Sequence, residues 1–236
     1  MSEEPTTMQE AIKRAIGIEL HGSATWTDEQ WAEHDAAVAV CRSADAQEQL
    51  AAKLRQAVEE LTDRDGWPRR AIDVALEADL AAPAIVKLRE LDMTDRNIVV
   101  ISGSAGSGKT VGVAWWALQR KTTAKLSTKF VRASTFAAAS RYDREERNVW
   151  LKASALVLDD AGAEYNDAKG SLTVDLDELI DTFYGDRRPL LITTNGSVVE
   201  FKKRYGERIT DRLRECGRWV SIDGGSLRGK PPKGRP

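Results

Sequence analysis

The segment 103–110, Gly-Ser-Ala-Gly-Ser-Gly-Lys-Thr, constrains the fold of this chain more than any other feature. It matches the phosphate-binding loop, in which a glycine is followed after four residues by Gly, Lys and a hydroxyl residue. The run 97–102 before it is apolar and β-branched, as buried parallel strands are, and a helix-forming run begins at Lys109. Strand, loop and helix in this order predict an α/β fold.

The backbone N–H groups of this loop are expected to surround the phosphates of ATP, because glycines allow the chain to wrap closely around them. Lys109 is predicted to reach the β- and γ-phosphates, and the Thr110 hydroxyl to bind Mg²⁺. Trp115 and Trp116 are interpreted as packing residues, because adjacent side chains of one helix cannot both face one ligand. The predicted nucleotide-binding residues are Gly103, Ser104, Ala105, Gly106, Ser107, Gly108, Lys109 and Thr110.

Four further apolar runs follow the loop, and helical patterns separate them. The runs are 129–131, 155–158, 190–193 and 219–222, and the helical patterns cover 109–121, 134–152, 171–185 and 197–215. Strands that alternate with helices predict a parallel sheet with helices on both faces.

Residues 1–65 are predicted to form a small all-helical region before this sheet, and 229–236 a flexible basic tail. Gly66 and Pro68 interrupt the helical pattern between the two parts. An apolar stripe at helical spacing is either a core face against a neighbouring helix or a surface for a partner protein. It comprises Leu50, Leu54, Val58 and Leu61.

The formal net charge of the 236-residue chain is −2 at pH 7. A charge so near zero creates no global field that attracts nucleic acid, so any such contact requires a local patch. The cysteines Cys41 and Cys216 provide neither a disulfide framework nor zinc-ligand spacing. No apolar run approaches the roughly 20 residues of a membrane helix, and the N-terminus lacks a signal-peptide pattern. We therefore expect a cytoplasmic protein without membrane contact.

Polar residues end two of the predicted strands. Asp159, after the run 155–158, is predicted to hold Mg²⁺ together with Thr110, and Asp160 to polarise the attacking water. In ATPases of this class the catalytic base is more usually a glutamate. Because the aspartate side chain is shorter and reaches less far, we expect slow hydrolysis. Asn195, after the run 190–193, is predicted to orient that water or sense the γ-phosphate.

The order of these motifs resembles that of the DnaC-type helicase loaders, AAA+ ATPases related to the initiator DnaA and the transposition ATPase IstB. The resemblance covers about residues 66–228. It implies a P-loop AAA+ parallel sheet there, and the chain departs from the family at Phe183 and Tyr184, where an Arg-Tyr pair is frequent. The segments that carry it are 66–70, 103–110, 156–162, 188–195, 206–213 and 226–228.

The resemblance also implies an ATP site shared between subunits. Arg212 corresponds to the arginine finger, which enters the neighbouring subunit's site and neutralises charge on the γ-phosphate. Arg208, four residues earlier on the same helical face, is a supporting or sensing residue. Arg228 corresponds to a degenerate sensor that contacts nucleotide. The alternative is that Arg208 and Arg212 are solvated residues of an exposed helix.

In loaders and initiators, a paired-helix insertion before the carboxylate strand helps to bind single-stranded DNA, and it corresponds to 134–152 here. Its mixture of aromatic and basic side chains suits base stacking and phosphate contact. The candidate nucleic-acid contacts are Phe136, Arg141, Tyr142, Arg144 and Arg147. Asp143, Glu145 and Glu146 dilute the positive charge, so a solvated helix is the alternative.

Together these features predict an ATP- and Mg-dependent loader. It would bind a hexameric replicative helicase through its N-terminal helices and single-stranded DNA through the ATPase domain. It would self-associate through a shared ATP site, and ATP hydrolysis would release the loader. A transposition helper ATPase on duplex DNA is the alternative, although the N-terminal region is more acidic than that role suggests. A small-molecule kinase would need an acceptor-binding lid and would leave Arg212 without a role.

Overall fold

The computed structural model describes residues 44–91, 93, 96–162 and 171–222 of the chain. The helical pattern before Ala44, the candidate sensor Arg228 and the tail 229–236 lie outside these described residues.

Five strands form one parallel sheet in the order β2-β3-β4-β1-β5. Each predicted apolar run is one of these strands, which confirms the α/β prediction. The strands are β1 (Ile98–Ser102), β2 (Thr128–Arg132), β3 (Ala155–Ala161), β4 (Leu190–Thr194) and β5 (Gly217–Ser221).

Helices precede, connect and cover the strands. They are α1 (Ala44–Glu59), which continues into a π-helical turn (Glu60–Arg64), α2 (Arg69–Glu77), α3 (Pro83–Arg89), α4 (Lys109–Ala124), α5 (Ala133–Tyr142), α6 (Arg144–Leu151), α7 (Ser171–Gly185), α8 (Val198–Tyr205) and α9 (Glu207–Cys216). None of these described helices is long and apolar enough to span a membrane.

Alternate residues of the strands belong to two separate cores. Val99 and Ile101 of β1 pack with α1 to α4, whereas Ile98 and Val100 pack with α5 to α9. This alternation follows from strand geometry, in which successive side chains point to opposite faces. Helices therefore cover both faces of the sheet, as predicted. Trp115 and Trp116 are buried in the first core, which confirms that they are packing residues.

Two of the predicted helices are each divided in two. The pattern 134–152 breaks at Asp143, whose carboxylate accepts a hydrogen bond from the backbone N–H of Glu146, 2.9 Å away, and so caps α6. The pattern 197–215 breaks at Gly206, whose φ of 90° a helix cannot contain. In both places a residue that favours a helix end, Asp143 as a cap and Gly206 through its φ, interrupts a continuous helical pattern of apolar residues.

The apolar stripe, which runs from α1 into the π-helical turn, is part of the core of the domain that contains the sheet. Leu50, Leu54, Val58 and Leu61 are buried in one cluster with the tryptophans of α4. Beside them the Glu60 carboxylate lies 2.5 Å from the Lys121 ammonium of α4, and this pairing lowers the pKa of Glu60. The stripe is therefore a core face, and the compact domain begins before the predicted boundary at residue 66.

The segment after the π-helical turn lies along the edge strand β2. The backbone N–H of Phe130 donates to the carbonyl of Asp65 at 2.8 Å, and the Trp67 indole N–H donates to the carbonyl of Thr128 at 2.7 Å. Ser127 donates to the Asp65 carboxylate at 2.9 Å. These contacts cover a strand edge that would otherwise expose unpaired backbone groups. The segment around Gly66 and Pro68, where the helical pattern is interrupted, thus packs against β2 as part of the domain.

We predict that Leu61→Ala lowers the free energy of unfolding by about 2–5 kcal/mol, because Leu61 is fully buried. Val74→Ala on α2 is the control: Val74 is 43% exposed, and its truncation should cost about 0.5 kcal/mol or less. Urea denaturation of both variants measures the difference. A similar small loss for both would contradict the placement of the apolar stripe of α1 and the π-helical turn in the core.

Candidate nucleotide-binding site

The predicted phosphate loop lies between the carboxyl end of β1 and the start of α4. Gly106 and Gly108 have φ values of 84° and 91°, in the left-handed region that favours glycine. At Gly103 a Cβ atom would lie 2.7 Å from the carbonyl oxygen of Ile222 and 2.8 Å from Oγ of Ser107. The three glycines are therefore required by the path of the backbone.

Lys109 is buried at the start of α4 and connects the loop to β4. Its ammonium donates to the carbonyl oxygens of Gly103 at 2.7 Å and Ser104 at 3.0 Å, and to Oδ1 of Asn195 at 2.8 Å. The lysine of the phosphate loop and the asparagine that follows β4 therefore lie in direct contact, although 86 residues separate them.

Asp159 accepts two hydroxyl hydrogen bonds at the end of β3. Thr110 donates to its Oδ1 at 3.1 Å and Thr193 donates to the same oxygen at 2.7 Å. Burial raises the pKa of the Asp159 carboxyl, and the two hydrogen bonds oppose that rise. A divalent cation here would favour the ionised form.

The donor chemistry of Asp159 and Thr110 fits Mg²⁺. A carboxylate and a hydroxyl are hard oxygen ligands, and Mg²⁺ commonly binds through one or two protein oxygens while keeping several waters. These two side chains would hold the ion, and their role as metal ligands stays a prediction.

Asp160 is connected to Lys109 by hydrogen bonds through the side chain of Asn195. The Asn195 amide N–H₂ donates to Oδ1 of Asp160 at 2.7 Å, while its carbonyl oxygen accepts from Lys109. The amide can serve both partners because it carries a donor and an acceptor. The structure therefore brings together the predicted residues Lys109, Thr110, Asp159, Asp160 and Asn195.

Thr193 contacts both carboxylate residues and was not among the predicted site residues. It hydrogen-bonds the Asp159 side chain and the Asp160 backbone N–H. The signal that could have indicated it is a hydroxyl residue at the polar end of an otherwise apolar strand.

The predicted finger Arg212 and its neighbour Arg208 are engaged by α7 of the same chain. Nη2 of Arg208 lies 2.7 Å from the Asp177 carboxylate, and Arg212 forms an ion pair with Asp181. The contact with Asp181 raises the pKa of Arg212. The arginines and the aspartates are both spaced i, i+4, so the two ion pairs stack along the facing helices.

The five candidate nucleic-acid contacts have different environments. Tyr142 is 86% exposed, Arg144 is also exposed, and Arg147 is ion-paired with Asp175 and Glu178 of α7. The side chain of Arg141 lies outside the described residues.

Phe136 requires a correction. It has no exposed surface and packs against Trp150 with ring centroids 5.8 Å apart, so it cannot stack on a base. Ala133, Phe136 and Ala137 are all buried, and their i, i+3, i+4 spacing places Phe136 on the core face of α5.

The fold has clear counterparts among solved structures, although neither a protein-family model nor a curated protein sequence matches this chain. A primosome component from Streptococcus pyogenes serotype M3 is similar with a TM-score of 0.56 and 17% identity, over 72% of this chain and 98% of that one. DnaI is similar with a TM-score of 0.54 and 19% identity, over 69% and 95%. The replication initiator DnaA, solved with AMPPCP and single-stranded DNA, has a TM-score of 0.50 and 20% identity, over 61% and 45%.

These likenesses show the fold of the chain: a P-loop α/β protein whose parallel sheet is shared with the primosome component, DnaI and DnaA. The shared fold confirms the predicted resemblance to replication ATPases at the level of the fold alone.

We predict that Lys109→Ala weakens nucleotide binding by about tenfold or more, because charge-assisted hydrogen bonds contribute about 1.5–3 kcal/mol each. Asn195→Ala is the matched control, since it removes the same Lys109–Asn195 hydrogen bond from the other side. It should bind nucleotide within about threefold of the unmodified chain. Titration with a fluorescent ADP analogue, which lacks the γ-phosphate that Asn195 is predicted to sense, measures both constants. An unchanged Kd for Lys109→Ala would contradict the assignment of the phosphate loop.

Proposed function

We propose that this chain is an ATP-dependent loader of a replicative helicase, with slow, Mg-dependent hydrolysis as its release switch. The observation that carries the proposal is the contact of Lys109, Asp160 and Asn195 at one end of the sheet, beside Thr110 and Asp159. The support for the biological role is the fold shared with a primosome component and DnaI.

The chemistry follows from the positions of these side chains. The bound nucleotide supplies the phosphoanhydride bond that is broken, and Mg²⁺ held by Thr110 and Asp159 would supply positive charge that favours its cleavage. Lys109 exchanges its carbonyl partners for phosphate oxygens and neutralises their charge. Asp160 accepts a proton from the attacking water, and Asn195, already bonded to Asp160, orients that water.

Arg212 is proposed to complete the site of a neighbouring subunit. To do so it must leave Asp181, to which it is paired in the isolated chain. Both side chains are more than a third exposed, and such ion pairs are worth only about 0–1 kcal/mol. Opening the pair therefore costs little, and a guanidinium at the transferred phosphoryl group can lower the barrier far more.

We predict that Arg212→Ala lowers the kcat of partner- or DNA-stimulated hydrolysis by at least about tenfold and leaves ATP affinity unchanged. Asp181→Asn is the matched control, because it weakens the same ion pair but keeps the arginine. It should hydrolyse ATP at least as fast as the unmodified chain. Steady-state kinetics at a protein concentration that permits self-association provides the comparison. Equal losses in the two variants would indicate a structural ion pair instead of a finger.

The single-stranded DNA role is proposed for the exposed side chains around the α5–α6 junction. Tyr142 offers a stacking surface and Arg144 a phosphate contact, and α5 and α6 meet at Asp143 between them. The DnaA structure of similar fold contains single-stranded DNA, which supports a search for such binding here.

The helicase contact is proposed for the N-terminal region, which was predicted as residues 1–65. Because the stripe of α1 is buried in the ATPase core, the part of that region available to a partner is best tested at residues 1–43.

We predict that the full chain captures the hexameric replicative helicase of its own host, and that a variant lacking residues 1–43 does not. The truncated variant should still bind the fluorescent ADP analogue, since α1 to α9 and the sheet lie outside the deletion. A pull-down with purified helicase makes the measurement. Failure of the full chain to bind would reject the loader role and favour the transposition-helper alternative, and binding by both would place the contact in the ATPase domain.

A further inference from the structure

Two consecutive carboxylates at a strand end face a geometrical difficulty. Successive side chains of a regular strand point to opposite faces, so Asp159 and Asp160 could not both serve one site from an undistorted β3. Both do contact the site, since Asp159 bonds Thr110 and Asp160 bonds Asn195.

A β-bulge resolves the difficulty. Leu158 of β3 lies opposite Ile192 of β4, and the next paired residues are Ala161 and Thr194. Asp159 and Asp160 therefore both lie opposite one residue, Thr193. Asp160 has a φ of 61°, in the left-handed region that a residue with a side chain adopts uncommonly. Bulges of this kind re-aim a side chain next to a site.

The Thr193 hydroxyl bonds to both residues of the bulge. It donates its single hydrogen to Oδ1 of Asp159 at 2.7 Å and accepts the backbone N–H of Asp160 at 2.8 Å. Thr193 is 1% exposed, so both bonds form away from bulk solvent. The donated bond orients the carboxylate assigned to Mg²⁺, and the accepted bond satisfies the N–H that the bulge removes from regular pairing.

We propose that Thr193 is a positioning residue for ATP hydrolysis, acting through Asp159 and Asp160 without touching the nucleotide. This inference rests on the proposed ATPase function. A side chain that fixes a metal-binding carboxylate typically changes metal affinity or activity by about 10- to 100-fold when it is removed.

The neighbouring Thr194 provides a matched control on the same strand. It is also buried, and its hydroxyl also donates one hydrogen bond and accepts one. Its partners are the carbonyl of Ala161 at 2.7 Å and the backbone N–H of Gly196 at 3.1 Å, so it contacts no carboxylate. Thr194→Val thus measures the cost of losing a buried hydroxyl at this strand end.

The test uses the full chain with Thr193→Val, Thr193→Ser and Thr194→Val. Thr193→Val should lower kcat by about tenfold or more and weaken Mn²⁺ binding to the ADP complex, followed by electron paramagnetic resonance, by a similar factor. Its Kd for a metal-free ATP analogue should stay within about threefold, because the loop and Lys109 are unchanged. Thr193→Ser keeps the hydroxyl and should restore kcat and Mn²⁺ affinity, while Thr194→Val should change both less than Thr193→Val.

Three outcomes would overturn the inference: unchanged Mn²⁺ affinity in Thr193→Val, failure of serine to restore it, or an equal effect of Thr194→Val. If Thr193→Val does not fold, Thr193→Ala against Thr193→Ser makes the same comparison without added bulk. The Mn²⁺ measurement also separates this inference from the proposed function. An unmodified chain that binds Mn²⁺–ADP but hydrolyses nothing would contradict the ATPase proposal, while the Mn²⁺ affinities of the variants would still decide the role of Thr193.

Discussion

The parallel pairing of β1 with β4 is the constraint on which the nucleotide site depends. Their register runs from Ile98 opposite Leu190 to Ser102 opposite Thr194, so the phosphate loop and Asn195 leave the sheet side by side. Asn97 secures the other end of the pair. Its side-chain amide donates to the carbonyls of Phe183 at 2.8 Å and Arg188 at 2.6 Å, while its backbone carbonyl accepts from the N–H of Leu190 at 2.9 Å. A shift of this register would separate Lys109 from Asn195.

The helices before the sheet support the helix that carries the phosphate loop. At Gly112 of α4 a Cβ atom would lie 2.8 Å from the Leu88 side chain and 2.9 Å from that of Ala84, so α3 approaches the α4 backbone closely. The stripe of α1 packs in the same core. The first turn of α4, which carries Lys109 and Thr110, is thus held by elements that precede the phosphate loop in the chain.

Helix α7 packs on the face of the sheet that α4 does not cover, and it supplies carboxylates that form ion pairs with arginines of neighbouring helices. Its carboxylates pair with Arg147 of α6 and with Arg208 and Arg212 of α9. Three arginines predicted to contact DNA or a neighbouring nucleotide therefore have partners within their own chain. The pairs of Arg208 and Arg212 are exposed or half-exposed and therefore weak, whereas the side chain of Arg147 is largely buried.

Sequence alone determined the fold class and the strands, and it singled out most of the residues that meet at the candidate site, because apolar runs, glycine spacing and strand-end carboxylates are local signals. Tertiary structure decided what depends on contacts between distant residues: the burial of Phe136, the inclusion of α1 in the core and the pairing of Arg212 with Asp181. It also decided how Asp159 and Asp160 reach one site. Local pattern places their side chains on opposite faces. The bulge that brings them together is hydrogen-bonded by a hydroxyl of β4 more than 30 residues further along the chain.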